Sequence, residues 1–415
     1  MRFTSQLHSY KTIPQVVRRS IQMCFSLCIP LNFAHLSSSA SSEPKGPVYL
    51  WARREVMEEE VRLSFLENQA LSSEKWPKVE QTALSPTTTT RIATALLTAQ
   101  SPLIITSHLG RNAAAVAPLL ALSTLLAIPV SSTCPSALNV PFSHPFFTGV
   151  TYCLPGAHTE HFATADVILV IESDIPWIPM NNKPSPNARI FVLDSGDPLK
   201  LNINFWHVDA EMVCQADGEV ALGQLLEAVR QTDKDLGSKV LNSQPILDRA
   251  KRLSAQHKEW VYNLDLLEND FRAPPDMSVR TGSPLQSSIT VPNIMGVLRK
   301  TIQAQTPNKG METLVLNESI SNFLPVWTHM RSEVPGSILV SGGSSLGWAL
   351  GAAVGAYIGG KVAGGGHGYE LIVAIVGDGS FLFGVPSSVY WMARRYNTVS
   401  FVNNYLPYRS FSSLF

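Results

Sequence analysis

Glu370-Leu-Ile-Val-Ala-Ile-Val-Gly-Asp-Gly-Ser-Phe381 decides the reading of the fold. The apolar run Leu371–Val376 is short for a helix and suits a strand buried on both faces. Gly377-Asp378-Gly379-Ser380 ends it and helix-compatible residues follow, so a parallel strand hands over to a helix at its carboxyl end. At such a turn glycines let the backbone approach a ligand, the helix terminus presents unpaired amide N–H groups, and Asp378 offers a hard oxygen for Mg²⁺. A phosphate with its metal would sit there. Asn403-Asn404, at the end of the next predicted strand, adds an amide oxygen to the same place.

Working outward, the pattern alternates. Upstream come a helix over Pro292–Gln303, strands Thr313–Asn317 and Ser337–Val340, and a helix over Ala349–Ile358; downstream come a helix over Pro386–Tyr396 and a strand Val399–Val402. Further upstream the alternation recurs: helix Ile92–Thr98, strand Pro102–Thr106, helix Asn112–Leu126, strand Ile128–Ser131, a Pro-rich loop, a helix near 158–164, and strands Val167–Ile171 and Arg189–Leu193. Strands alternating with helices predict an α/β protein with two consecutive doubly wound parallel-sheet domains. No Gly-x-Gly-x-x-Gly follows the first central strand, only His108-Leu-Gly-Arg-Asn112, so a standard dinucleotide site is not supported. The expected division is 1–60, a linker over 61–90 that includes the Ser/Thr/Pro-rich Leu84–Thr90, a central domain over 91–240, a linker over 241–280, and a last domain over 281–415.

Composition narrows the classes. Lys+Arg and Asp+Glu both number 32, so no basic surplus favours nucleic acid. Hydrophobic residues make up 45% and charged residues 15%, which argues against disorder. Cys24, Cys28, Cys134, Cys153 and Cys214 are odd in number and scattered, which indicates neither a disulfide framework nor a structural zinc and fits a reducing compartment. Ala113–Val130, the most apolar stretch, is interrupted by Pro118, Ser123 and Thr124, so no membrane span is expected. A cytoplasmic protein follows. The acid-free first 42 residues, with Arg2, Lys11, Arg18 and Arg19, leave a mitochondrial leader as the alternative. His158 and His161 could share a helix face but lack a third metal ligand, Gly364–Gly368 reads as a loop, and Arg53-Arg54 and Arg394-Arg395 read as solvated surface.

Gly377-Asp378-Gly379, 23 residues, then Asn403-Asn404 resembles the signature of the thiamine-diphosphate-dependent enzymes of the acetolactate synthase, benzoylformate decarboxylase and pyruvate decarboxylase group. Three further stretches match in order. Gly342-Gly-Ser-Ser-Leu-Gly-Trp348 and the helix after it resemble the segment that holds the aminopyrimidine; a Gly/Ala-rich helix packed on a sheet accounts for the glycines equally well. Leu314-Val-Leu-Asn-Glu-Ser319 is similar to the strand whose tip touches the diphosphate, although Glu318 and Ser319 could equally be a helix cap. Residues 91–230 are similar to the family's central domain, with Ala165–Pro179 as its middle strand and turn.

The resemblance implies thiamine diphosphate and Mg²⁺ as cofactors and a small 2-keto acid as substrate, in a homodimer or homotetramer. It implies Glu318, Ser319, Ser344, Leu346, Gly377, Gly379 and Ser380 as cofactor contacts, with Leu346 the wedge that bends the cofactor and the Ser344 carbonyl receiving its 4′-amino group. Asp378, Asn404 and the Leu406 carbonyl would be the metal ligands. Flavin, which the synthases bind in the central domain, would meet Glu172-Ser-Asp-Ile-Pro176 in place of their Arg-Phe-Asp-Asp run.

Departures accompany the matches. The family's first domain gives a glutamate that protonates the pyrimidine. Here only Val16–Gln22, Ser42–Leu50 and Glu55–Glu60 resemble that domain's end, as a remnant with Met23–Ser41 as an insert, and no glutamate is a candidate for the catalytic role. Asp378 to Asn404 is 26 positions, one or two short of the family's spacing, and strand side chains alternate faces, so the asparagine could turn from the metal. Leu406–Phe415 do not resemble the family's metal loop. The expectation is a chain truncated at both ends, without catalysis or tight cofactor binding by itself; the alternative is a non-catalytic remnant that associates with full-length paralogues.

Overall fold

The computed structural model describes residues 3–24, 48–67, 79–157, 160–196, 208–237, 239–271, 289–342, 345–363, 368–398 and 401–406. Strand β1 (Phe3–Leu7), helix α1 (Ile13–Cys24) and strand β2 (Val48–Ala52) come first, and β1 pairs with β2 in parallel from Phe3↔Val48 to Leu7↔Ala52. The sequence reading had the helix and the second strand but not the first, in which Thr4, Ser5 and Gln6 interrupt any apolar run. Glu55, Glu58, Glu59 and Glu60 are exposed, and Arg54 pairs with Glu58 at 2.7 Å on the surface.

The central sheet has six strands: β3 (Pro102–Thr106), β4 (Val130–Thr133), β5 (Phe147–Thr151), β6 (Val167–Ile171), β7 (Arg189–Asp194) and β8 (Met212–Gln215). All pair in parallel, in the order β5-β4-β3-β6-β7-β8. Alternation along each strand divides the apolar side chains between two faces. Ile104, Leu169, Ile171, Phe191 and Leu193 pack against helices α2 (Pro86–Thr98), α3 (Ala113–Leu126) and α4 (Gly218–Asp235). Leu103, Ile105, Ile168, Val170 and Val192 pack on the other face with Phe162 and Trp177.

Each helix starts where its sequence provides a cap. Ser85 Oγ accepts the Thr88 N–H at 3.2 Å, Asn112 Oδ1 that of Ala114 at 3.2 Å, and Asp217 Oδ1 that of Glu219 at 3.0 Å. Two strands escaped the sequence reading. β5 carries Gly149 at φ +104°, a residue that weakens a strand signature, and β8 is an edge strand with alternate residues exposed.

Helix α5 (Gln244–Asn269) leads to the last domain. Its Arg249 is 6% exposed and donates to the carbonyls of Leu126 at 2.6 Å, Ala127 at 2.9 Å and Gln100 at 2.9 Å, placing a cation at the carboxyl end of α3. The last domain comprises α6 (Val291–Gln305), β9 (Thr313–Glu318), α7 (Phe323–Met330), β10 (Ile338–Leu339), α8 (Trp348–Ala363), β11 (Leu371–Gly377), α9 (Asp378–Phe383), α10 (Pro386–Arg395) and β12 (Phe401–Leu406). Its four strands are parallel in the order β10-β9-β11-β12. Val315, Ile338, Val373 and Ile375 face α6 and α7; Leu314, Leu316, Ile372 and Ala374 face α8 and α10. The final strand is described over 401–406, past the expected end at Val402; residues 399–400 of the expected strand lie outside the described residues.

The Pro-rich loop of the central domain is ordered by this second sheet. Leu138 N–H donates to the Ile338 carbonyl at 3.0 Å, Gly336 N–H to Leu138 at 2.9 Å and Val340 N–H to Ser136 at 3.0 Å, covering the β10 edge. Behind the junction Glu268, its side chain 1% exposed, accepts bonds from Arg299 at 2.7 and 2.9 Å, Arg331 at 2.8 Å and His329 Nδ1 at 3.0 Å. Burial alone would raise this carboxyl, but those bonds and cationic charges hold it at about 2.

Candidate functional site

The carboxyl ends of β9, β11 and β12 finish close to one level. Val376 pairs with Glu318, and Gly377 with Leu406. α9 begins at the next residue, so Asp378 stands at the tip of the middle strand, exposed, and among the described residues it carries no hydrogen bond or ion pair. Gly379 is exposed too, and a Cβ there would meet nothing within 4 Å. Ser380 is buried at 2%.

Gly347 brings the 345–347 segment against the carboxyl end of α9. It holds φ +89°, and a Cβ on it would lie 2.9 Å from Gly384 N and Cα, so the two backbones touch. Leu346, beside it, is 40% exposed although large and apolar. Ser344 lies outside the described residues. Asn404 is in β12, in register with Ile375, two rungs before Leu406; of their side chains nothing is described.

Glu318 and Ser319 are differently engaged. The Glu318 carboxylate is 1% exposed and accepts the N–H groups of Trp348 at 3.0 Å and Ala349 at 2.7 Å. It therefore caps α8, a helix thirty residues on, rather than the turn that follows it, and the carboxylate is committed within the protein. Ser319 is 2% exposed and donates its hydroxyl to Asn317 Oδ1 at 2.6 Å.

The donor set fits a metal-bound diphosphate. An exposed carboxylate without a partner among the described residues, bare backbone at Gly377 and Gly379, and a protruding Leu346 lie around one strand end. Among the described residues no group of three His, Cys, Asp or Glu side chains could hold a metal by itself, so diphosphate, water, backbone or amide oxygens would complete any coordination. His161 is on a short helix, Glu160–Thr164, and His158 lies outside the described residues.

A second cluster of polar side chains lies where the central strand order reverses, between β3 and β6. His108 Nε2 lies 3.0 Å from Asp174, its Nδ1 2.7 Å from Ser136 Oγ, and Arg111 Nε donates to the same hydroxyl at 2.9 Å. Burial lowers His108 against the raising effect of Asp174. Glu172, at φ +47°, accepts from Ser195 N at 3.0 Å and Ser195 Oγ at 3.1 Å. Burial, then the Asp194 charge, push it up to about 8, and burial raises Asp194 to about 6. Asp174 and Asp194 both feel the Arg111 guanidinium, and Asp217 adds its charge beside Glu172, so among the described residues a flavin dinucleotide's diphosphate would meet like charge, and these residues do not fit it. The sequence reading singled out Glu172–Pro176 but not His108, whose partners are 28 and 66 residues distant.

Residues 89–228 match the family model of the thiamine pyrophosphate enzyme central domain, and residues 322–406 that of the C-terminal TPP binding domain, together more than half of the chain. The chain belongs to the thiamine pyrophosphate-dependent enzyme family. No curated protein matches it in sequence.

Solved structures superpose on nearly all of it. A Mycobacterium smegmatis protein described as thiamin diphosphate-dependent has a TM-score of 0.62 at 16% identity, over 100% of this chain and 66% of that one. Benzoylformate decarboxylase from Polynucleobacter necessarius gives 0.61 at 17% identity, over 97% and 62%. The 4-hydroxybenzoylformate decarboxylase from Rhodococcus jostii gives 0.57 at 18% identity, over 97% and 63%. At these identities the likeness is one of fold, and the chain spans just under two thirds of the length of each.

Proposed function

We propose that the chain binds thiamine diphosphate and Mg²⁺ at the carboxyl ends of β9, β11 and β12 and belongs to an enzyme acting on 2-keto acids. The observation that carries this reading is the exposed Asp378 between Gly377 and Gly379, without a partner among the described residues, inside the match to the TPP binding domain. Asp378 would hold the metal, with the Asn404 amide and the Leu406 carbonyl as further ligands. The backbone at Gly377–Gly379 would lie along the diphosphate, and Leu346 would set the cofactor's bend. When bound, the cofactor supplies the electron sink for decarboxylation of the keto acid. The chain's own residues bind and orient it; Glu318 contributes indirectly, by fixing the start of α8 behind the 345–347 segment.

By itself the chain is proposed to be inactive, because no glutamate in it is placed by the family resemblance to protonate the pyrimidine. A second reading, association with a full-length paralogue, is favoured by one observation. Leu382 and Phe383 on α9 and Trp391 on α10 are 74%, 69% and 67% exposed, apolar side chains suited to a subunit contact. A reducing compartment, cytoplasmic or alternatively mitochondrial, suits either reading; among the described residues no helix is long and apolar enough to cross a membrane.

Thermal unfolding with thiamine diphosphate and Mg²⁺, beside thiamine and Mg²⁺, tests the reading. Stabilisation by the diphosphate form alone is expected. Equal shifts for both, or none, would remove the assignment of this strand end to the diphosphate.

A further inference from the structure

Cys134 and Cys153 are separated by 18 residues but meet at the ends of neighbouring strands. Cys134 follows β4, its N–H donates to the Thr151 carbonyl at 2.8 Å, and Cys153 lies two residues after β5 ends. Their sulfurs are 3.8 Å apart. Both backbones are left-handed, φ 43° and 59°, a conformation that costs a non-glycine residue about 1–2 kcal/mol. Two adjacent cysteines held in that conformation, one half-buried and one 1% exposed, are an arrangement that packing alone does not require.

We propose that Cys134 and Cys153 are a site of reversible oxidation, closing to a disulfide with hydrogen peroxide as the oxidant. The Cys134 thiolate attacks a peroxide oxygen; the S–O bond forms, the O–O bond breaks, and the departing hydroxide takes a proton to leave as water. The Cys153 sulfur then gives up its proton and attacks the sulfenic sulfur, forming S–S as the S–O bond breaks and a second water departs. The thiols lose two electrons in total and peroxide gains them. Cys134 is the attacking thiol because it is the accessible one, and its contact with Cys153 lowers it below the usual thiol range while raising its partner. In a reducing compartment such a bond is transient and regulatory rather than structural.

Closure has a route to the other domain. The sulfurs must come to about 2 Å, so the ends of β4 and β5 draw together. Tyr152, next to Cys153, accepts the Trp327 indole N–H at 2.9 Å and stacks on Phe323 with centroids 5.3 Å apart, both residues of α7. On the other strand, residues 136–138 pair with the stretch that leads through β10 to the 345–347 segment.

The test is peptide mass mapping of the whole native chain after stoichiometric peroxide, with free thiols alkylated before digestion. A Cys134–Cys153 cross-linked peptide, two hydrogens lighter and lost on dithiothreitol treatment, is expected. Cys153→Ser should leave Cys134 as a sulfenic acid captured by a dione probe. The proposal is overturned if both cysteines remain alkylatable after the treatment, or if cross-links form only among Cys24, Cys28 and Cys214.

Discussion

Glu318 at the tip of β9 receives the backbone N–H of Ala349 in α8 at 2.7 Å, across a sequence gap of 31 residues. A side chain that resemblance assigns to the cofactor is thereby a scaffold element, joining the strand end to the helix behind the 345–347 segment. A buried carboxylate shared by two helix-terminal N–H groups is a charge-assisted pair, and its removal leaves both amides unsatisfied. Glu318→Ala should destabilise the protein by ~2–3 kcal/mol in urea unfolding, and Glu318→Gln by less. Loss of cofactor affinity in Glu318→Ala with unaltered stability would restore the direct contact.

Gly347→Ala is expected to disturb the site with little effect on the central domain. The added methyl would lie 2.9 Å from Gly384 backbone, and φ +89° strains any L side chain. A loss of ~1–3 kcal/mol confined to the second sheet should appear as faster hydrogen exchange over β9, β11 and α9, with β3 and β6 unchanged. Uniform exchange rates relative to wild type would show that the close approach does not constrain the segment.

Glu268 makes an acid-side prediction. Its carboxyl is held at about 2 against an ordinary 4.5, so its stabilisation is complete above pH 4.5 and drains away as pH falls toward 2. Up to ~3 kcal/mol is involved, and Glu268→Ala, which strands Arg299 and Arg331 in a buried place, should cost ~3–5 kcal/mol at neutral pH. A variant whose stability matches wild type at pH 7 would contradict the cluster's role.

Glu172 acts in the opposite direction. Its folded-state value of about 8 lies above the ordinary 4.5, so the folded state is best off below pH 4.5 and loses stability as pH rises through 8. Glu172→Gln keeps the shape and should remove that decline, raising stability at pH 9 by an amount on the order of a few kcal/mol. Parallel pH profiles for variant and wild type would disprove the raised value.

Much of the scaffold is legible from local pattern. Pro102–Thr106 and Val167–Ile171 are short apolar runs between turn residues, and both are strands with those bounds. Leu371–Val376 is legible for the same reason, and Gly377 marks its end. The elements that escape lack a local signature: β5 contains Gly149, β8 is a half-exposed edge, and β12 runs on to Leu406, past its apolar pattern. At the site Asp378 is readable because strand, glycine and acid are consecutive. Glu318's partners, the His108–Asp174 contact and the Cys134–Cys153 pair are products of topology, joining residues 19 to 66 positions apart, which no periodicity encodes.

Calorimetric titration of thiamine diphosphate into the whole chain, with and without Mg²⁺ and with Asp378→Ala alongside, tests the assignment of this strand end most directly. A diphosphate needs the metal to neutralise its charge, and Asp378 is the exposed carboxylate there to hold it. Binding weaker than micromolar is expected, appearing only with Mg²⁺, vanishing in Asp378→Ala, and bringing no keto-acid turnover by this chain alone. Binding that is independent of Mg²⁺ or unaltered by Asp378→Ala, or turnover without another subunit, would contradict it.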